Sequence, residues 1–166
     1  MKKIITGLLV FVLATQFVFT QIIELPEVEV AVNYKYINAI SSEELAESVI
    51  ILEEEVATFN LKDSKFYRDN YDKYTVKFFI PEGKIVAAYD KDGKIIRTIE
   101  KFKNIKLPKT ILSKISKQYP KWTIVEDTYK VDYNDNSGVA FKRYRIKLKK
   151  DNKTATVKFT DDGDYL

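Results

Sequence analysis

The sequence predicts an α+β fold in which two helices pack on one face of an antiparallel sheet. Two stretches, starting near residues 43 and 107, carry apolar residues at the three- and four-residue spacing of a helix. Each is followed by three runs of alternating apolar residues separated by turns rich in Asp, Asn and Gly. The order therefore occurs twice, at about 43–100 and 107–160, and we expect tandem helix-plus-three-strand repeats that share one sheet whose other face is open to solvent.

The first 21 residues are typical of a secretory signal peptide. Lys2 and Lys3 form a basic start, and residues 4–14 form an apolar run. A membrane anchor is the less favoured alternative, because this run falls short of the roughly 20 apolar residues that a span needs. The chain has no cysteine, which excludes a lipid-anchored bacterial lipoprotein. We expect a mature chain of residues 22–166 that forms a single domain, is exported to the periplasm or secreted, and keeps no membrane span after cleavage.

The composition excludes the common catalytic chemistries. The chain has no histidine and no cysteine, which removes Ser-His-Asp and Cys-His catalysis, the usual zinc sites and thiol redox chemistry. It has neither a P-loop nor a G-x-G-x-x-G motif. We therefore expect a protein that is not an enzyme and that needs no cofactor or metal. An enzyme that uses carboxylates alone is the least favoured alternative.

Aspartates beside glycines resemble fragments of a calcium loop. Examples are Asp90 and Asp92, and the group Asp161, Asp162 and Asp164. A complete loop needs a Glu at its twelfth position, and counting from Asp90 that position holds a lysine. These aspartates are better explained as turn formers.

The charge balance does not indicate a nucleic-acid partner. Of the 28 basic residues, Lys2 and Lys3 belong to the leader, so the mature chain stays close to neutral against 24 acidic residues.

The N-terminal part of the mature chain predicts an extra strand and then the first helix. Apolar residues alternate strictly through 28–38, which favours a half-buried edge strand. Ser41 and Glu44 have the spacing of a capping box, so we expect a helix that starts there and runs to about Ala57. Its predicted buried stripe is Leu45, Val49, Leu52, Val56 and Phe59, and its glutamates at 43, 47, 53, 54 and 55 are predicted to face solvent.

The next three runs predict a meander of strands. Residues 74–80, 85–89 and 95–99 are rich in Val, Ile, Phe and Tyr and are separated by the turn sequences Pro81-Glu82-Gly83 and Asp92-Gly93. The second turn sequence favours a type I′ hairpin, in which both central residues have positive φ.

The second half repeats this pattern. Pro108 is predicted in the first turn of a helix that ends before Pro120. Strands follow at about 122–133, 139–148 and 155–159, the first with an irregularity near Glu126.

Alternation along the strands predicts a basic outer face on the sheet. An ordinary solvated face is one interpretation, since lysine also discourages pairing between sheet edges. The functional hypothesis is a docking face for an acidic protein or envelope polymer, with aromatic anchors and arginine contacts. Its residues are Lys77, Phe79, Arg97, Phe141, Arg143, Arg145, Lys147 and Lys158.

The pattern also resembles a known family. The stretches 74–78, 88–98, 107–108 and 119–124 are similar to PepSY-like domains of the kind also called beta-lactamase-inhibitor-like, which are small exported proteins of the Bacteroidetes type. The resemblance covers about residues 43–166 and leaves the predicted strand at 28–38 outside it. It implies tandem helix-plus-sheet repeats and a role in protein binding or inhibition in the cell envelope, without a shared catalytic set.

Two functions of different kinds follow. The first is an exported, non-enzymatic protein-binding module, of which an inhibitor of an envelope or secreted hydrolase is one form. The second is a periplasmic carrier of a small ligand, with a pocket between helices and sheet lined by Tyr34, Tyr36, Trp122 and Tyr129.

Overall fold

The computed structural model describes residues 33–42 and 44–166. It is an α+β structure in which helices cover one face of a six-stranded antiparallel sheet, as predicted. The strands lie in the order β1-β2-β3-β4-β5-β6, so every strand pairs with its neighbour in sequence. The elements are α1 (Tyr34–Ile40), α2 (Glu47–Thr58), β1 (Lys73–Ile80), β2 (Gly83–Asp90), β3 (Ile95–Lys103), α3 (Lys109–Gln118), β4 (Thr123–Asn134), β5 (Val139–Lys150) and β6 (Lys153–Thr160).

Helix α1 corrects the prediction of a strand over 28–38. Residues 34–38 are helical, and residues 28–32 lie outside the described part of the chain. Tyr36 and Ile40 are buried one helical turn apart, whereas Tyr34 is 68% exposed. Strand geometry would place Tyr34 and Tyr36 on the same face. The alternation was misleading because two tyrosines two positions apart satisfy it even when only one of them is buried.

The residues around the start of α1 hold this helix against the rest of the fold. Asn33 donates through Nδ2 to the carbonyl of Ala57 at 3.1 Å and accepts from the Ile95 amide at 2.8 Å. Lys35 and Lys94 both form ion pairs with Asp135, at 2.9 and 2.7 Å. These contacts connect α1 to the end of α2, to β3 and to the β4–β5 loop.

Helix α2 begins later than its predicted start. Its first residue is Glu47, and the preceding Ala46 provides no side-chain cap. Ser41 closes α1 instead, with its Oγ donating to the carbonyl of Ile37, and a Glu44 carboxylate oxygen accepts from the Lys109 amide at 2.6 Å. The predicted capping box is therefore wrong, because its two residues are used to end one helix and to begin another. The predicted buried stripe is confirmed for Leu45, Val49, Leu52 and Val56, and Phe59 is half-buried.

The β2–β3 hairpin lies at the predicted place but has a different turn. Gly93 has a φ of 82°, whereas Asp92 has no positive φ, so the turn is not of type I′. The carboxylate of Asp90 accepts from the amides of Asp92 and Lys94, at 3.0 and 2.9 Å. The pairing register shifts between Ala88 and Tyr89. An Asx-type turn with a bulge therefore replaces the simple two-residue turn.

Side chains from both halves of the chain form one continuous core. Phe102, Tyr129, Tyr144 and Phe159 occupy directly paired positions on β3 to β6, and all four are buried. Tyr129 and Tyr144 stack with ring centroids 4.6 Å apart. Ile111 and Ile115 of α3 are also buried. The predicted irregularity near Glu126 is confirmed as a register shift in β4.

Among residues 33–42 and 44–166, none of the helices has the length and apolar content that crossing a membrane requires.

Candidate binding face on the open side of the sheet

The face of the sheet opposite the helices carries basic residues on all six strands. We call it the open face. Burial alternates along β1, β2, β3, β5 and β6, so the buried positions contact the helices and the other positions form the open face. In β4 the alternation is interrupted at residues 127–129, and cross-strand pairing assigns its residues to the two faces. Its acidic residues are Asp90, Glu126 and Asp132, and turn amides occupy the carboxylate of Asp90. Its basic residues are Lys73, Lys77, Lys84, Arg97, Lys101, Lys103, Lys130, Arg143, Arg145, Lys147, Lys149 and Lys158.

All eight residues of the sequence-predicted docking face lie on the open face, but they do not form a single cluster. Lys77 lies on β1, and Phe141 lies on β5 in the same cross-strand row. Phe79 shares the neighbouring row with Arg143. Arg97 lies near the start of β3, away from these two rows, and pairs with Asn134 of β4. The other three are Arg145, Lys147 and Lys158, on β5 and β6.

The β1–β3 half of the open face contains exposed apolar side chains. Phe79 is 79% exposed and Ile99 is 45% exposed, with Val86 half-buried between their strands. Lys77, Val86 and Ile99 are directly paired across β1, β2 and β3. Exposed apolar side chains flanked by cations are typical of surfaces that contact another protein. Sequence reasoning missed Val86 and Ile99, although their alternation in β2 and β3 places them on this face.

The β4–β6 half is different, since it contains a groove lined by cations and hydroxyls. The groove has a volume of ≈ 460 Å³. Thr128, Arg145 and Lys158 form one directly paired row across β4, β5 and β6. The next row contains Lys130, Arg143 and Thr160. The residues that line the groove are Thr128, Lys130, Arg143, Tyr144, Arg145, Thr156 and Lys158.

Two features give the groove a fixed shape. Thr128 lies on the open face and yet is only 9% exposed, because the long side chains around it form walls. Arg143 donates to the carboxylate of Asp132 at 3.1 Å, and its guanidinium carbon lies 5.3 Å from the centroid of the Phe141 ring. An arginine held by both an ion pair and an aromatic ring loses less conformational freedom when it binds a ligand.

A buried pair of carboxyl groups lies on the other side of the sheet, under α2. Glu53 is 3% exposed and Glu100 is 1% exposed, so the prediction that Glu53 faces solvent is wrong. Oε1 of Glu100 accepts from the Tyr36 hydroxyl at 2.9 Å and from the Thr98 hydroxyl at 2.8 Å. Among the described residues, Oε1 of Glu53 and Oε2 of Glu100 have no hydrogen-bond partner.

Burial sets the protonation of this pair. It raises the pKa of Glu100 to about 6, while hydrogen bonds from Thr98 and Tyr36 act in the opposite direction. Burial and the neighbouring Glu100 raise the pKa of Glu53 further. Because burial and mutual repulsion disfavour two charges here, the pair titrates as a unit and holds a shared proton to a higher pH than solvated carboxyl groups do. The charge of Lys142, which pairs with Asp161 at 3.1 Å, lowers the pKa of Glu53 but does not outweigh burial and Glu100.

The four tyrosine and tryptophan positions of the carrier hypothesis do not surround one cavity. Tyr36 and Tyr129 are buried in the packed core, whereas Tyr34 is largely exposed. Trp122 is half-buried and packs edge to face against Tyr119, at 6.0 Å between ring centroids.

Within the described residues, no three Asp or Glu side chains come together in a way that could hold a metal ion. Asp90 binds turn amides, and Asp161 pairs with Lys142, as a turn-forming or structural role requires. Asp164 pairs with Lys114 at 3.0 Å.

A scan against protein-family models and a search of curated proteins both found no match for this chain.

Proposed function

We propose that the chain is an exported, non-enzymatic binding module that docks an acidic protein on the open face of its sheet. The observation that carries this proposal is the composition of that face. Every strand contributes at least one lysine or arginine, and two of the three acidic side chains there are already engaged by the protein itself. In the described part of the chain, residues 33–42 and 44–166, the helices lie on the opposite face, which leaves these cations available for a partner.

The apolar residues of β1–β3 provide the anchors for such a contact. Interfaces derive most of their affinity from a few buried aromatic and arginine side chains, while surrounding charges steer the encounter and set specificity. Phe79 and Ile99 are exposed apolar groups on this half, and Arg97 lies on the same face of β3. A partner with an apolar patch bordered by carboxylates would complement them.

Other features support an exported binding module. The leader-like N-terminus and the resemblance to PepSY-like domains both favour a cell-envelope or secreted role. An inhibitor of an envelope or secreted hydrolase is one form that this module could take. The carrier function has less support, because two of its four proposed pocket residues are packed in the core.

The test is an affinity experiment with the chain from residue 22 onward, immobilised and exposed to envelope and secreted fractions at low and high salt. We expect one acidic protein that binds at low salt and is released at high salt. The double variant Phe79→Ala/Arg97→Glu should lose this protein. The matched control Leu112→Ala/Lys117→Glu makes the same kinds of change at exposed positions of α3 and should retain it. Equal capture by both variants would eliminate the proposed face.

A further inference from the structure

The groove on β4–β6 has a donor arrangement that protein docking does not require. Its two rows each contain one threonine and two cations, in opposite order. One row is Thr128, Arg145 and Lys158, and the other is Lys130, Arg143 and Thr160. The two arginines therefore lie in the centre, on β5, and Thr128, Lys130 and Lys158 line the groove beside them. Thr160 ends the second row outside the lining, and its hydroxyl accepts from the Asp164 amide at 3.1 Å.

This arrangement is unfavourable in the free protein. Arg145 lies directly opposite Lys158, and Arg143 lies directly opposite Lys130. Like charges at directly opposed positions destabilise a sheet. Among the described residues no acidic side chain forms an ion pair with Lys130, Arg145 or Lys158. Arg143 is paired with Asp132 at 3.1 Å, so the unrelieved repulsion is that between Arg145 and Lys158, and an anion bound in the groove would relieve it.

The donor chemistry indicates which anion fits. Guanidinium groups bind phosphate oxygens in pairs, and hydroxyls and ammonium groups can donate to the remaining oxygens. Thr128 forms a nearly buried base to the groove, and Arg145 and Lys158 stand beside it. In a chain of linked phosphates each unit keeps two non-bridging oxygens, so one unit can accept both N–H donors of an arginine while the next unit accepts from Thr128 and Lys158. The carboxylates of an acidic peptide lie on separate flexible side chains, each of which must be ordered to make the same contacts.

The cations also repeat along the strand. Arg143, Arg145, Lys147 and Lys149 occupy successive open-face positions of β5. Positions two residues apart on a strand are about 6.8 Å apart, which gives a ladder of cations rather than a single site. A chain that carries phosphate groups at similar intervals could contact several of them at once.

We propose that the β4–β6 groove binds the phosphate groups of an anionic polymer, as a second binding function beside protein docking on β1–β3. The two sites share the open face and its cations, but the docking anchors Phe79, Ile99 and Arg97 do not line the groove, so variants can separate the two functions.

The test uses linear inorganic polyphosphate as the probe and poly-glutamate of equal charge as the comparison, in calorimetric titrations of the chain from residue 22 onward. We expect polyphosphate to bind at least about 10-fold more tightly than poly-glutamate, and orthophosphate alone to bind far more weakly. Equal affinity for the two polymers would overturn the preference for phosphate. Orthophosphate that binds as tightly as the polymer would overturn the polymer as the ligand.

Matched variants separate the groove from general electrostatic attraction. Lys158→Gln should weaken polyphosphate binding about 10-fold, and Lys101→Gln, the same charge change on the open face outside the groove, about 2-fold or less. Thr128→Val keeps every charge and should weaken polyphosphate binding about 3-fold while leaving poly-glutamate unaffected. Equal losses for Lys158→Gln and Lys101→Gln, or no effect of Thr128→Val on polyphosphate, would contradict the proposed groove.

The same titrations distinguish this site from the docking face. The variant Phe79→Ala/Arg97→Glu should no longer bind the acidic protein. It should still bind polyphosphate, and adding Thr128→Val should weaken that binding as it does in the wild type. Loss of both ligands in that variant would show a single shared site and overturn the separate groove.

Discussion

The carboxyl pair of Glu53 and Glu100 makes the stability of the protein depend on pH. Both carboxyl groups have raised pKa values in the folded state, because burial disfavours their charged forms. The folded protein therefore retains protons that the unfolded chain has already released. Stability from this pair is fully present below the ordinary carboxyl pKa of 4.5 and is lost as the pH rises through the raised values.

The variant Glu53→Gln tests this assignment. A glutamine amide is neutral at every pH, so the variant removes the charge that burial and Glu100 disfavour at position 53. We expect the variant to be more stable than wild type at pH 8 by about 1–3 kcal/mol and to show a flatter decline above pH 5. Urea unfolding across this pH range provides the measurement.

The matched control is Glu54→Gln, at an exposed position next in sequence. It should leave the pH profile unchanged. A Glu53→Gln profile parallel to that of wild type would show that Glu53 is ionised in the folded protein and would contradict the shared proton.

At the scale of elements, the start of β2 packs so closely against β3 that position 83 has no room for a side chain. Gly83 begins β2 and pairs with Phe102. A Cβ atom there would lie 2.2 Å from the carbonyl oxygen of Lys101 and 2.7 Å from the Phe102 Cα. Both neighbours are backbone atoms of a paired strand, so relief of the clash requires the strands to separate.

We therefore expect Gly83→Ala to lower the free energy of unfolding by about 3 kcal/mol. Gly93→Ala is the comparison. Its Cβ would meet only Leu61, at 3.8 Å, so its cost of about 1–2 kcal/mol comes from the positive φ alone. Denaturant unfolding measures the free energy of unfolding of both variants, and we expect Gly83→Ala to be the less stable. A Gly83→Ala variant as stable as Gly93→Ala would mean that the hairpin shifts without cost.

These elements also show what a sequence can and cannot predict. The sheet was predictable because its strands alternate with a period of two and are joined by short turns, so local pattern and final structure agree. Helix α1 was not predictable, because only Tyr36 and Ile40 are buried in it. A seven-residue helix has too few positions to show the roughly 3.6-residue period of buried side chains. Glu53 was assigned to solvent because it begins a run of three glutamates, and its partner Glu100 is distant in sequence. The basic face followed from alternation, whereas the groove depends on cross-strand register, which turn geometry and the shift between Ile124 and Glu126 set and which alternation alone does not reveal.

At the scale of the whole molecule, an open sheet has two edges, and residues 164–166 cover the last part of the edge at β6, beside Lys158 and Thr160. The amide of Thr160 donates to the Asp164 carbonyl at 2.8 Å, and the amide of Leu166 donates to the Lys158 carbonyl at 3.1 Å. Tyr165 packs on Phe159 with ring centroids 4.4 Å apart. These bonds occupy backbone groups that a second sheet could otherwise pair with.

Deletion of residues 164–166 should therefore promote self-association through β6. We expect the truncated chain to form dimers whose fraction rises with concentration, measured by sedimentation velocity, while the intact chain stays monomeric. Tyr165→Ala is the control, because it removes the ring contact but keeps the backbone bonds of Thr160 and Leu166, and it should remain monomeric. A truncated chain that stays monomeric at every concentration would show that repulsion among the lysines of β6 protects this edge without the C-terminal segment.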